Sequence, residues 1–192
     1  MLNTRFFTIV GITLSAAAMR LVPHPPNITP IAAMALFGGV YFASRRTALL
    51  VPLAAMYLSD LALGLFVYDF GWFHGFMPFV YASFVVTVCL GFLVRRRLTP
   101  LTVGGAALMA SVLFFIVTNF GAWLVGNLYP KTLAGLAGCC VAAIPFFRNS
   151  LAGDAVYALL LFGGFALAQR YLPVLRTEPV AIPAHVCPRQ NR

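Results

Sequence analysis

Charged residues are scarce in this chain of 192 residues. Asp, Glu, Lys and Arg make up 9% of it, against about 25% in soluble globular domains, whereas hydrophobic residues make up 61%. Only four residues are acidic, so the 13 Lys and Arg residues leave a formal net charge of +9. This composition argues against a soluble domain and predicts an all-α integral membrane protein that lies in a lipid bilayer.

Sequence motifs for hydrolytic and metal chemistry are absent as well. The chain has no P-loop, HExxH or GxSxG pattern, so we expect neither ATP hydrolysis by the chain itself nor any other enzymatic activity. Its four cysteines, at positions 89, 139, 140 and 187, lack the CxxC spacing of a zinc or redox site. The sequence therefore predicts no cofactor and no metal, although His24, between prolines, leaves a ligand contact open.

The basic residues lie in short clusters between apolar runs. In a soluble chain the same net charge would indicate nucleic acid as a partner. Clusters between apolar runs instead orient a membrane protein, because basic loops stay on the cytoplasmic side. We therefore expect no nucleic acid partner.

Apolar run length predicts six membrane-spanning segments, since a span needs about 20 residues. The second segment has only 14 positions and rises ~21 Å, so it must be extended by its neighbours or buried among other helices. The predicted segments are Phe6 to Leu21, Ile31 to Ser44, Thr47 to Phe66, Pro78 to Val94, Thr102 to Val125, and Leu151 to Arg170.

A further apolar run, Leu133 to Phe147, raises the question of a seventh span. With six spans and the N-terminus inside, three basic residues (Arg20, Lys131 and Arg148) lie outside and the other ten inside. A seventh crossing would change this distribution to seven against six. The positive-inside rule therefore predicts six spans with both termini cytoplasmic, and a re-entrant or lid segment before the last helix.

The two ends of the chain carry further predictions. We interpret residues 1–176 as a single transmembrane bundle domain and the proline-rich residues 177–192 as a flexible cytoplasmic tail. An alternative is that Arg5, the apolar run after it and the Ala16 to Ala18 stretch form a cleaved secretory signal. Cleavage would leave five spans and Arg20 at a new N-terminus.

Five polar residues of the predicted spans fall at a similar depth. At 1.5 Å per residue, Asp60 lies ~20 Å and Asn119 ~25 Å from the inner surface, whereas Asp154 lies ~5 Å below the outer surface. Arg20 and Arg148 flank the outer ends of their spans. Because charges inside a bilayer are costly unless they are paired or functional, we expect these residues to form the floor of a ligand pocket.

Aromatic, imidazole and amide side chains concentrate in the loops on the same side. We expect His24, Asn27, Trp72, Tyr129 and Lys131 to form the walls of the pocket. The alternative is structural: the charges would neutralise one another, and the aromatic residues would belong to an interfacial belt. Small residues predict tight helix packing at Gly11 with Ser15, Gly38–Gly39, Gly104–Gly105 and Gly163–Gly164.

Several short segments resemble those of an uncharacterised family of bacterial integral membrane proteins, over about residues 15 to 168. They are Arg20-Leu21-Val22-Pro23-His24-Pro25-Pro26-Asn27, Ala35-Leu36-Phe37-Gly38-Gly39, Leu58-Ser59-Asp60, Phe114 to Phe120 with Thr118-Asn119-Phe120, Tyr129-Pro130-Lys131-Thr132, Ile144 to Asn149 and Gly153-Asp154. That family is in turn distantly similar to the S components, the substrate-binding subunits, of energy-coupling-factor vitamin transporters.

This resemblance implies a six-helix bundle in the bacterial cytoplasmic membrane, with a pocket under outer loops one, three and five. Those loops correspond to Pro23 to Pro30, Val67 to Met77, and Gly126 to Ser150. It also implies a coupling membrane protein with ATPase subunits as a partner. An S component docks through small residues on its first helix, for which this chain offers Gly11, Ser15 and the Ala16 to Ala18 run.

The sequence and the resemblance together favour a membrane substrate-binding and uptake subunit that captures a small, vitamin-like solute from the outer side. One alternative is a membrane-embedded enzyme that modifies a bound molecule with His24 or Cys139. The other is a structural membrane subunit that transports nothing.

Overall fold

A computed structural model describes residues 4–67 and 75–176 of the chain. Trp72, one of the predicted pocket residues, lies outside the described residues, as does the predicted tail of residues 177–192.

The described part of the chain is helical and contains no strand. Its α-helices are α1 (Thr4–Ala18), α2 (Ile31–Tyr41), α3 (Arg45–Phe66), α4 (Met77–Val94), α5 (Pro100–Val125), α6 (Leu133–Ala158) and α7 (Gly164–Tyr171). A 3₁₀ turn, Met19–Leu21, extends α1, a π-helix, Leu159–Gly163, joins α6 to α7, and a second 3₁₀ turn, Pro173–Leu175, follows.

Four helical segments are long and apolar enough to cross a membrane: α3, α4, α5 and the continuous run from Leu133 to Tyr171. These segments make the chain a membrane protein by length and composition. The other two predicted spans correspond to shorter helices: α1 has 15 residues and α2 has 11.

Hydroxyl side chains fix where three of the long helices begin. Ser44 caps α3, and Thr132 caps α6 by accepting the backbone N–H of Gly135. Thr99 and Thr102 form a capping box at the start of α5. Three arginines, at positions 95–97, lie between the end of α4 and this capping box. Such caps satisfy backbone N–H groups that have no partner inside the helix.

The prediction of a re-entrant or lid segment before the last helix is wrong. Residues 133–147 belong to α6, which continues through the π-helix and α7 to Tyr171 without a break. Pro145 lies inside α6 and does not end it. A helix inside a protein tolerates proline when neighbouring groups satisfy the freed carbonyl, so the apolar run and the predicted sixth span form one helix of 39 residues.

The short helix α2 lies at the centre of the bundle and packs against α1, α3, α4, α5 and α6. Ten of its 11 residues are buried, and Leu36 and Phe37 are fully so. Of the two alternatives predicted for this segment, extension by its neighbours or burial among other helices, the structure has the second. Its closest neighbour is α4: a Cβ atom on Gly39 would lie 2.9 Å from the Cα of Gly91, so both positions require glycine.

The bundle has two chemically different ends. One, which we name the basic end, contains residues 42–46 and 94–100, with five arginines. The opposite half, which we name the loop end, contains the loops of residues 19–30 and 125–133, with Arg20 and Lys131. Arg148, within α6, lies in this half as well, next to Asn149, which bonds to Pro26.

Candidate functional site

Two of the predicted pocket residues, Arg20 and Asp60, form a buried ion pair at the loop end. The Arg20 Nη2 and Asp60 Oδ1 atoms are 2.6 Å apart, and the two side chains are only 10% and 4% exposed. Arg20 also donates a hydrogen bond to the Ser59 hydroxyl, and the Tyr81 hydroxyl donates to Asp60 Oδ2 over 2.7 Å. This cluster ties the turn after α1 to α3 and α4, as in the structural alternative in which Arg20 neutralises Asp60.

Asp154, on α6, forms a second buried cluster that has no hydrogen bond or ion pair to the first among the described residues. The Ser111 hydroxyl of α5 donates to Asp154 Oδ2 over 2.6 Å, and the backbone N–H of Ala33 donates to the same carboxylate. Ala33 lies in the first turn of α2, whose N-cap residue, Pro30, supplies no side-chain cap. Asp154 therefore caps α2 from a neighbouring helix, where its negative charge also favours the helix dipole.

The opposite end of α2 is capped by a positive charge. The Arg95 Nη2 atom, from the end of α4, donates to the carbonyl oxygens of Gly39 at 2.6 Å and of Phe42 at 3.0 Å. Partial burial lowers the pKa of Arg95, and the nearby positive charge of Arg45 lowers it further. The buried helix α2 is thus held between a carboxylate at its N-terminus and a guanidinium at its C-terminus, as its dipole favours.

A cavity of about 570 Å³ lies between α5 and the run formed by α6, the π-helix and α7. Most of its wall is aliphatic or aromatic, with Val103, Ala107, Ala158 and Phe162 among the lining residues. Its polar lining side chains are those of Tyr41, Thr99, Ser111 and Asp154. The cavity extends from the start of α5, at the basic end, to the buried Ser111–Asp154 hydrogen bond.

A second, much smaller cavity of about 20 Å³ lies on the other side of that hydrogen bond. Asn27 and Thr29, from the loop between α1 and α2, line it together with Ser150. Ser111 and Asp154 line both cavities. The hydrogen-bonded pair therefore forms a partition between the large cavity and the loop end.

The loop between α1 and α2 is anchored on α6 next to this partition. Asn149 donates a side-chain hydrogen bond to the carbonyl oxygen of Pro26 over 2.9 Å. A Cβ atom on Gly153 would lie 3.1 Å from the Cα of Ile28, so this close approach favours glycine. Asn27 adopts a φ of 65° in this loop, in the left-handed region that asparagine tolerates better than most residues.

Three further predicted pocket residues lie at the junction between α5 and α6. The Asn119 side chain donates to the carbonyl oxygen of Phe115 over 2.7 Å, within its own helix. Lys131 donates to the carbonyl oxygens of Trp123 and Gly126, which caps the C-terminus of α5. Tyr129 is half-buried in the same turn. None of the three lines the cavities described above.

The last two predicted residues are exposed. His24 forms a hydrogen bond with the carbonyl oxygen of Val22 in its own loop. Arg148 lies on an exposed part of α6 and forms no ion pair within residues 4–67 and 75–176. The structure therefore brings together Arg20 with Asp60, and Asn27 with Asp154, and it leaves the other described candidates apart.

Sequence reasoning missed the residues that make the large cavity. Ser111 is a single hydroxyl in a long apolar run, and such residues often bond only to their own helix. The prediction that paired glycines pack helices is confirmed at Gly39, whereas a Cβ atom on Gly104, Gly105 or Gly164 would meet nothing within 4 Å. Gly104 and Gly163 instead line the cavity. Paired glycines in these two helices were therefore a sequence signal from which the cavity could have been predicted.

Comparisons with known proteins place the chain in a family and give no activity. Searches of the curated proteins and of the solved structures found no match. A family model matches residues 1–175, nearly the whole length of the chain. The protein therefore belongs to DUF6580, a family of unknown function.

Proposed function

We propose that this protein is a membrane subunit that binds a small, vitamin-like solute and takes it up across the bacterial cytoplasmic membrane. The observation that carries the proposal is the cavity between α5 and α6. Its volume of about 570 Å³ falls within the range of about 300–1,000 Å³ that is typical of small-molecule sites. Apolar walls with a few buried polar groups at one end are also typical of such sites.

The charge distribution supports an orientation for the bundle. The five arginines of the basic end would lie in the cytoplasm under the positive-inside rule, and the loop end would face outward. In this orientation α1 and α2 complete a six-helix bundle with both termini inside. A solute from the outer side would first meet the loop between α1 and α2, then the small cavity, and then the partition of Ser111 and Asp154.

Uptake against a gradient needs a source of energy, and the chain has no nucleotide-binding motif of its own. A coupling membrane protein with ATPase subunits would supply it in an arrangement like that of the S components. Such a partner would dock on small residues of the first helix. Gly11 and Ser15 are exposed on α1, and a Cβ atom on Gly11 would meet nothing within 4 Å.

Native mass spectrometry of the detergent-purified protein tests the proposal, and neighbouring glycines give a matched pair of variants. Leucine at position 104 would project into the cavity without a clash of its Cβ atom. Leucine at position 105 adds the same volume to the same helix, equally without a clash, but outside the residues that line the cavity. We expect a small-molecule adduct on the wild type and on Gly105→Leu, and its loss on Gly104→Leu.

Equal retention of the adduct by both variants would contradict the proposal, and so would adducts that consist of phospholipid alone. The enzyme alternative predicts a chemically altered molecule after incubation. The structural alternative predicts that variants of the Arg20–Asp60 pair lower the abundance of the protein while Gly104→Leu changes no ligand-dependent property.

A further inference from the structure

We propose that the solute of the large cavity is an organic cation, with a protonated amine that binds Asp154 and an apolar body that fills the rest of the space. This inference rests on the proposed function and names the chemical class of its solute. It follows from the charge of the cavity, the hydrogen bonds that Asp154 has already formed, and the chemistry of the walls.

The cavity contains one acidic side chain, that of Asp154, and no cationic partner for it. Asp154 is only 6% exposed, and no Lys, Arg or His is among the residues that line the cavity. The ion pair between Arg20 and Asp60 is the only salt bridge of the described residues, so Asp154 is not neutralised by a neighbour there. Buried charges in membrane proteins are normally paired, and a cationic solute would supply the missing partner.

The hydrogen bonds of Asp154 leave room for such a partner. A carboxylate offers about four acceptor positions, and the donors on Asp154 are the Ser111 hydroxyl and the Ala33 N–H. An ammonium group carries three donors and forms charge-assisted hydrogen bonds with a carboxylate. Both protein donors can therefore stay in place while the solute binds.

Capping of α2 does not by itself explain a charged residue at this position. Asparagine and serine cap helices about as well as aspartate, without the cost of placing a charge inside a bilayer. The dipole of α2 favours a negative charge at this position, but by less than a charge costs inside a bilayer, so an ionisable side chain here indicates a role beyond the cap. Asp154 lies on the wall of the large cavity, so a bound solute is the group with which its carboxylate would interact.

The apolar walls of the cavity determine which chemical groups can form the rest of the solute. Ala107, Ala158 and Phe162 are buried apolar side chains, and the rim carries the exposed side chains of Leu108 and Leu159. Such surfaces offer no hydrogen bonds to a polar body, and they favour an aliphatic or aromatic group. A carboxylate or phosphate solute would face the charge of Asp154 without compensation.

Three photoreactive probes that share one body test this inference in lipid nanodiscs. They are an aryl diazirine carrying a benzylamine, its benzyl alcohol analogue and its benzoate analogue, and peptide mass spectrometry maps the labelled residues. In the wild type we expect labelling of the cavity walls of α5 and α6, with the amine about tenfold more potent than the alcohol, and the benzoate weakest. Asp154→Asn keeps acceptors for Ser111 and Ala33, so it should remove the advantage of the amine and leave the alcohol within about twofold.

The outcomes separate this inference from the proposed function. Equal potency of the three probes in the wild type would overturn the cationic class, and this comparison needs no variant that must fold. A parallel loss of amine and alcohol labelling in Asp154→Asn would overturn it as well. If Gly104→Leu still abolishes labelling that Gly105→Leu preserves, the cavity remains the binding site; if no probe distinguishes these two variants, the proposed function fails.

Discussion

Replacement of Asp60 by asparagine tests how strongly the buried ion pair at the loop end stabilises the bundle. The asparagine side chain is close in size to that of aspartate and would still accept the hydrogen bond from Tyr81, so the change removes mainly the negative charge. The guanidinium of Arg20, only 10% exposed, would then be left without its counter-charge 2.6 Å away.

We expect Asp60→Asn to lower the free energy of unfolding by about 3 to 5 kcal/mol, the usual cost of removing one partner of a buried pair. This is a large fraction of the roughly 5–15 kcal/mol that stabilises a typical domain. The double variant Arg20→Met with Asp60→Leu removes both charges together. It should recover most of this loss, because apolar side chains of similar volume often replace a buried pair at little cost.

The assay is reversible unfolding in mixed detergent micelles, followed by circular dichroism, for Asp60→Asn, for Arg20→Met and Asp60→Leu as single variants, and for the double variant that combines the last two. Arg148→Met is the matched control, since Arg148 is exposed and has no ion pair among the described residues; we expect a change within about 0.5 kcal/mol. The reasoning would be refuted if Asp60→Asn cost less than about 1 kcal/mol, or if the losses of the single variants simply added in the double variant.

Three other predictions concern packing, capping and topology. Arg95→Gln should cost about 1 to 3 kcal/mol in the same unfolding assay, because it removes charged hydrogen bonds to the end of α2, whereas the exposed Arg96→Gln should cost little. Gly39→Ala should destabilise the bundle by at least about 1 to 3 kcal/mol through its clash with α4, whereas Gly105→Ala, in open space, should stabilise its helix by about 0.5 to 1 kcal/mol. Single cysteines at positions 96 and 133, in a background without the native cysteines, should be labelled from opposite sides of oriented vesicles; labelling from one side would contradict the proposed orientation.

The sequence was a good guide to the long helices, because a bilayer sets their length and their ends carry recognisable signals. The predicted segments Thr47 to Phe66, Pro78 to Val94 and Thr102 to Val125 end at the same residues as α3, α4 and α5, and they begin within two residues of them. For α2 the sequence left extension or burial open, since so short a segment cannot span the hydrocarbon core alone, and the structure decides for burial.

The arrangement of the polar residues was not predictable in the same way. Residue counting gives the height of a side chain only where the start of the helix is right. Asp154 was placed near the outer surface, but α6 begins at Leu133, which puts Asp154 far along this helix. Counting also does not give the direction in which a side chain points around its helix. Asp60 and Asp154 were therefore assigned to a single pocket floor, whereas their hydrogen bonds place them in separate clusters on helices that pack on α2. The continuity of α6 was missed for a related reason, because Pro145 and Arg148 have the composition of a loop and lie within a helix.

The short helix α2 links the large cavity to the loop between α1 and α2. All but its first residue are buried, so the polar groups at both of its ends need partners from other helices. Asp154 supplies one at the N-terminus and Arg95 at the C-terminus. A cation bound to Asp154 would weaken the interaction of that carboxylate with the N-terminus of α2, because the two positive charges compete for it. The loop that precedes α2 rests on α6 within five residues of Asp154, through Asn149 and Gly153. Binding in the large cavity would thus act on the segment that covers the small one, and this links the solute site to the route that leads to it.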